Sequence, residues 1–215
     1  MSGHLALEIT VAAPIASFRN PLYSGVQVAL PCPPPSTVGG MLAAAAGDWE
    51  AVDPGLRFAM AFHARGLGSD LETYHPLEHT GKKADPTPRE RQFLADVTLT
   101  VWLTDDISLW ERRMRRPVWP LRLGRSQDLA AATTRRVTLR DSPGIQRRAL
   151  LPETAPGRGT LLRLPTAISL DRGRTRWYGY RFDTSGQSDV RIVGERTTED
   201  GQAVVMLPPV HPSGA

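Results

Sequence analysis

Three stretches of the chain alternate between apolar and polar residues, the pattern of β-strands with one buried face. They are 5–11, 57–64 and 93–103. The apolar positions are Leu5, Leu7, Ile9 and Val11, then Phe58, Met60 and Phe62, then Val97, Leu99, Val101 and Leu103. His63 falls on the opposite face of the second stretch, where it reads as a strand residue and not as a catalytic base.

Two helices are predicted between these strands. The first begins near Ser36–Thr37, where either hydroxyl could cap it, and ends at Gly47, which suits a left-handed stop. The second starts at 105–106 and stops before Pro117. With a further strand at 119–123, the order becomes strand, helix, strand, strand, helix, strand. This order predicts an α+β, ferredoxin-like domain of the RNA-recognition type over residues 1–140.

Two regions break the periodic pattern. Residues 66–92 are rich in glycine, proline and polar side chains and predict a long insertion, of a length that is uncommon unless it is functional or disordered. Another strand is possible at 133–139. Residues 141–215 predict a small β-rich extension with strands at 175–182, 190–195 and 203–207, followed by a frayed tail from Pro208.

The segment before the first helix is unusual. Pro33, Pro34 and Pro35 hold the chain extended, and a pair of glycines, Gly39 and Gly40, falls in the first turns of the helix. Each glycine costs about 1 kcal/mol against alanine there, so a close neighbour is expected. That neighbour is either the underlying sheet or an anion such as phosphate at the helix N-terminus, and the pattern alone leaves both open.

Charge is concentrated in one part of the sequence. Between Arg112 and Arg148 there are eleven arginines and two acids, a balance of +9. Because the whole chain carries +4, the remainder carries −5. Such clustering is the electrostatic pattern of a partner that is a polyanion, although a solvated basic face without a ligand gives the same pattern.

Composition excludes several classes. With 40% hydrophobic and 22% charged residues, the chain is typical of a globular protein, and no apolar run is long enough to cross a bilayer, so a cytoplasmic protein is expected. One cysteine, Cys32, cannot form an internal disulfide and is expected to be buried. His75 and His79 have a metal-binding spacing, but Pro76 disfavours a helix and no third ligand is evident, so no metal and no cofactor are predicted.

Two segments resemble a known family. Residues 16–21 (ASFRNP) with 33–47 (PPPSTVGGMLAAAAG), and later 116–126 (RPVWPLRLGRS), are similar in order and spacing to segments of the fifth CRISPR-associated protein family. The residues SFRNP of the first segment are most similar to those of the subtype I-B branch. The resemblance implies a subunit of the type I surveillance complex (Cascade) that holds the 5′ handle of the guide RNA (crRNA). It also implies contacts with the backbone and large subunits, and a thumb formed by residues 66–92.

The resemblance and the blocks that carry it also supply candidate RNA-binding residues. Arginines and backbone amides would hold phosphates, and Asn20, Ser126 and Gln127 could bond base edges. The full candidate set is Ser17, Arg19, Asn20, Ser36, Thr37, Gly39, Gly40, Lys82, Lys83, Arg122, Gly124, Arg125 and Ser126. No catalytic residue is assigned.

Catalysis is the main alternative. Metal-free RNA cleavage needs a base for the 2′-hydroxyl and a cation for the phosphate, and Tyr74, His75, His79, Lys82 and Lys83 could supply them. The subtype I-C branch of the resembled family processes its guide precursor with a Tyr, a Lys and a His. The opening segment of this chain does not match that branch, so an RNA-binding subunit without nuclease activity is expected. A structural subunit that touches no RNA is the third possibility.

Overall fold

The protein is mostly β, with a six-stranded antiparallel sheet at its centre. The computed structural model describes residues 3–20, 28–74 and 86–215. The sheet order is β11-β10-β4-β1-β3-β2. The elements are β1 Gly3–Ala16, α1 Pro35–Ala46, β2 Ala59–Tyr74, β3 Thr87–Leu103, α2 Ile107–Arg115, β4 Ala131–Arg140, β5 Gly144–Ile145, β6 Leu151–Pro152, β7 Thr160–Ile168, β8 Thr175–Phe182, β9 Arg191–Ile192, β10 Arg196–Thr197 and β11 Ala203–Val204.

One face of the sheet forms the main core. The alternating apolar residues of β1, β2 and β3 are buried there against α1 and α2, as their periodicity predicts; Leu5, half exposed, is the exception. From α1, Val38, Met41 and Leu42 enter this core, and α2 contributes Trp110 and Met114. Burial of this apolar surface is the dominant favourable contribution to folding.

The last strand of the predicted order strand, helix, strand, strand, helix, strand is not where the sequence predicts it. The segment expected as a strand at 119–123 is irregular. The strand beside β1 is β4, Ala131–Arg140, which contains the further strand suggested at 133–139. The reason lies in the preceding segment: the N–H groups of Val118 and Trp119 donate to the carbonyls of Ala45 and Ala44 at the C-terminus of α1. This segment therefore satisfies the open end of a helix instead of joining the sheet.

Residues 66–92 are expected as an excursion from the fold, and those of them that the structure describes are almost all regular β-structure. β2 and β3 stay paired from Ala59↔Trp102 to Tyr74↔Thr87, whereas β1 pairs with β3 only as far as Ala16↔Leu94. The part beyond, 68–74 paired with 87–93, is a two-stranded ribbon that we call the stem. Seven residues of strand extend it by about 24 Å past the end of β1.

The C-terminal region packs into the same core. β8 matches its predicted range, whereas β7, which pairs with it, was not predicted. Tyr180 and Phe182 join the main core, and the Phe182 and Phe62 ring centroids are 6.4 Å apart. The expectation of a frayed tail from Pro208 is wrong: Val210 is buried and the His211 ring bonds the Trp49 carbonyl at 3.0 Å.

Candidate nucleic-acid interface

A buried carboxylate joins the two sequence segments that carry the family resemblance. Asp128 Oδ2 accepts hydrogen bonds from the N–H of Ser17 at 3.2 Å and from the N–H and Nε of Arg125 at 3.1 and 2.9 Å. The Asp128 side chain is 3% exposed, and Arg125 Nη2 lies 2.9 Å from its Oδ1. Ser17, Gln92, Gly124, Arg125 and Asp128 form what we call the corner.

A close contact between Gly124 and the backbone of Ser17 requires glycine at this position of the corner. Its φ is +110°, a left-handed conformation, and a Cβ there would lie 2.7 Å from the Ser17 carbonyl oxygen. Any side chain would therefore push β1 away from the loop at 121–130. The glycine of the second segment thus serves the contact between the two segments.

The corner also holds the base of the stem. Ser17 Oγ donates to the Gln92 carbonyl at 2.8 Å, and Gln92 Oε1 accepts from the Ala29 N–H at 3.2 Å. Beyond it on the stem, Arg91 is buried and pairs with both Asp70 and Glu72. The bonds of Gln92 therefore tie the base of the stem to the rest of the domain, whereas the ion pairs of Arg91 hold the two strands of the stem together.

Two candidate arginines lie exposed on either side of the corner. Arg19 follows Ser17 by two residues and Arg122 precedes Gly124 by two, and neither pairs with a carboxylate in the described part of the chain. Because Gly124 touches Ser17, both arginines belong to one region of the surface. The third candidate arginine, Arg125, is instead committed to Asp128, so its role is to hold the loop.

The start of α1 differs from the prediction. The N-cap is Pro34, and neither Ser36 nor Thr37 caps the helix through its side chain. Gly39 is explained by packing, since a Cβ would lie 2.8 Å from Val210 Cγ2 and 3.0 Å from the Trp49 ring. Gly40 has nothing within 4 Å of such a Cβ, so it alone of the pair is open to an approaching ligand.

The remaining candidates are placed as follows. Asn20 is half buried, and its N–H donates to the Val28 carbonyl at 3.1 Å. Ser126 and Gln127 are exposed at the tip of the corner loop. Lys82 and Lys83 lie outside the described residues, as do His75 and His79 of the nuclease alternative.

The arginine-rich window between Arg112 and Arg148 does not form one basic face of the protein. Neighbouring residues of β4 point to opposite sides, so Arg135 pairs with Glu8 at 2.6 Å and Arg136 with Glu111 of α2 at 2.7 Å. Six of the eleven arginines have such carboxylate partners: Arg115, Arg125, Arg135, Arg136, Arg140 and Arg147. Much of the +9 balance is therefore neutralised within the chain.

A depression lies on the sheet face opposite the helices. It has a volume of about 380 Å³ and is lined by His63, Thr98, Trp102 and Arg148 among others. Partial burial and the nearby Arg148 lower the pKa of His63, so its imidazole is mostly neutral at pH 7. Trp102 donates to Glu8 at 3.0 Å, which also holds Arg135.

Other residue types give no further site. In the described part of the chain no group of three or more metal-binding side chains comes together, and no helix is long and apolar enough to span a membrane. Cys32 is fully buried, as expected, and burial raises the pKa of its thiol well above the ordinary range. It is therefore unsuited to act as a nucleophile.

Comparison with known proteins agrees with the family resemblance. The family model described as CRISPR-associated protein (Cas_Cas5) matches residues 6–198. Comparison with curated proteins gives no match. A chain of a CRISPR RNA-guided surveillance complex superposes with a TM-score of 0.52 at 19% identity, covering 97% of this chain and 90% of its own. A CRISPR protein from Archaeoglobus fulgidus gives 0.51 at 14% identity, covering 95% of this chain and 99% of its own. The match to the family model over nearly the whole length shows that this chain belongs to the CRISPR-associated Cas5 family.

Proposed function

We propose that this protein is the RNA-binding subunit of a type I surveillance complex that holds the 5′ handle of the guide RNA. The observation that carries the proposal is the corner. It joins the two family segments through Asp128 and leaves Arg19 and Arg122 exposed on either side, with no acidic partner among the described residues. An extended strand of RNA presents phosphates that such guanidinium groups bind through paired hydrogen bonds.

The fold supports this role. The first six elements follow the order β-α-β-β-α-β, with β4, β1, β3 and β2 adjacent in that order, which is the arrangement of ferredoxin-like RNA-binding domains. The stem leaves this domain next to the corner and acts in the proposal as the base of the thumb. The likeness to a chain of a CRISPR RNA-guided surveillance complex supports a guide RNA as the partner. Contacts with the backbone and large subunits are proposed from the family resemblance of the two segments.

The proposal gives the chain a binding role and no catalytic one. The described groups of the corner are arginines, a buried carboxylate and backbone amides, which position phosphates. His63 is not part of the corner and lies in the depression with Arg148 and Trp102, on the sheet face opposite the helices. Assignment to the subtype I-B branch remains part of the proposal.

Salt-dependent binding of handle RNA tests the proposal. The double variant Arg19→Gln, Arg122→Gln should bind a 5′ handle oligonucleotide more weakly, because two phosphate contacts are lost. The slope of log K against log[salt] should shrink by about 1.4, at about 0.7 per phosphate on a single strand. The matched control is Arg135→Gln, Arg140→Gln, which removes two arginines of the same window that already pair with Glu8 and Glu199. A double variant with the slope of the unmodified protein would overturn the proposal.

A further inference from the structure

Trp119 lies exposed at the opposite end of the 119–124 segment from the corner. Its side chain is 59% exposed, whereas Trp102 and Trp110 are buried and Trp49 and Trp177 are half buried. All five tryptophans lie in the described part of the chain, and Trp119 is the exposed one among them. Tryptophan is enriched in binding interfaces.

The indole is held in place. Trp119 Nε1 donates to the Gly47 carbonyl at 2.8 Å, and the Trp119 N–H donates to the Ala44 carbonyl at 3.1 Å. Both acceptors belong to the C-terminal end of α1, and Val118 packs over Gly47. A ring that is fixed before binding loses little conformational freedom when a ligand covers it.

Two exposed arginines precede Trp119 along the chain. Arg112 lies in the last turn of α2, and Arg116 is the residue that ends the helix, three residues before Trp119. Both are exposed, and neither pairs with a carboxylate in the described part of the chain. Two acids follow Gly47, namely Asp48, which accepts a bond from the Ala51 N–H at 3.0 Å, and the exposed Glu50.

We infer that Trp119, with Arg112 and Arg116, forms a stacking platform for single-stranded nucleic acid. A fixed aromatic face beside unpaired guanidinium groups binds a base by stacking and the flanking phosphates by charge. Gly124 follows Trp119 by five positions, at most about 18 Å of chain, so a single strand that binds the proposed handle site could also reach the platform. The inference shares with the proposed function only the class of partner.

The test measures binding of the full chain to decamers of uridine and of thymidine, by anisotropy of a labelled oligonucleotide and by tryptophan fluorescence. Trp119→Leu keeps an apolar side chain but loses the ring, and should weaken binding about tenfold, the equivalent of about 1.4 kcal/mol. Trp119→Phe also loses the bond to Gly47 but keeps a stacking face, and should bind within about twofold of the unmodified protein. Binding should quench fluorescence in the unmodified protein and lose most of that quenching in Trp119→Phe.

The control variant is Tyr178→Leu, which removes another exposed aromatic ring that has Arg176 5.9 Å from its centroid. It should leave binding unchanged. Equal affinities for Trp119→Leu and the unmodified protein would overturn the inference, as would equal losses in Trp119→Phe and Trp119→Leu. Unchanged oligonucleotide binding together with release of a protein subunit from the assembled complex would identify a protein contact instead. Arg19→Gln separates the two sites, because it should weaken handle binding without affecting Trp119 quenching.

Discussion

Asp128 is expected to be the residue whose charge most affects the fold of the corner. The conservative change Asp128→Asn keeps the size and one acceptor oxygen but removes the charge that faces Arg125. It also turns an amide N–H₂ group toward a site where the Ser17 N–H and three groups of Arg125 all donate. At least one buried donor is then left without an acceptor.

The magnitude follows from burial. Breaking a buried ion pair by changing one partner costs about 3–5 kcal/mol. The Asp128 side chain is 3% exposed but Arg125 is 18% exposed, so water screens part of the loss and a value near the lower end, about 3 kcal/mol, is expected. For a chain of this size this corresponds to a fall in Tm of about 6–12 °C.

Thermal unfolding and handle-RNA binding, measured on the same preparation, test the reasoning. The matched control is Asp96→Asn, in which the carboxylate is 70% exposed and lies 3.4 Å from Arg65; this change should cost less than about 0.5 kcal/mol. RNA affinity should fall with stability in Asp128→Asn only. If the Tm of Asp128→Asn fell no further than the Tm of the control Asp96→Asn, the claim that this carboxylate holds the corner together would be refuted.

Three further predictions follow from the described residues. Gly40→Ala should stabilise the protein by up to about 1 kcal/mol, because the added Cβ meets no other atom. Gly39→Ala should destabilise it by about 1 kcal/mol, because the added Cβ meets Val210 and Trp49. Chemical denaturation would measure the free energy of unfolding of both variants, and equal shifts would contradict the packing explanation. Cys32 should resist a thiol reagent in the folded protein and react on unfolding, since burial raises the pKa of its thiol; rapid modification of the folded chain would show that it is accessible. Repeat-containing RNA incubated with the protein in EDTA should remain intact, and specific cleavage that is lost in His75→Ala, His79→Ala or Lys82→Ala would establish the nuclease alternative.

Where the sequence predicts well, one physical signal dominates. The buried faces of β1, β2 and β3 follow from strict alternation, and α2 follows from the acidic start and the proline that ends it. β7 was missed because Leu161 and Leu162 interrupt the alternation and Pro165 suggests a break. The stem was expected to be irregular because of its glycines and prolines, yet pairing along its whole length satisfies its backbone.

The candidate site, like the fold, could be predicted from the sequence only in part. The candidate segments could be found from their residues, but the contact between Ser17 and Gly124 joins positions more than a hundred apart and depends on the sheet. One feature of the sequence indicates a role for Asp128. It follows Arg125 by three residues and is one of only two acids in a window with eleven arginines. The charge balance itself was misleading, because acids from outside the window, Glu8, Glu111, Glu199 and Asp200, neutralise arginines within it.

Protection of the guide-RNA 5′ end tests the central claim most directly. The complex would be purified with its RNA from cells that express this chain with its neighbouring genes, and the RNA would be probed by limited nuclease digestion. The account predicts that the nucleotides of the 5′ handle are protected when this chain is present, and cleaved when it is omitted or carries Arg19→Gln with Arg122→Gln. Equal protection of the 5′ end with and without this chain would contradict it.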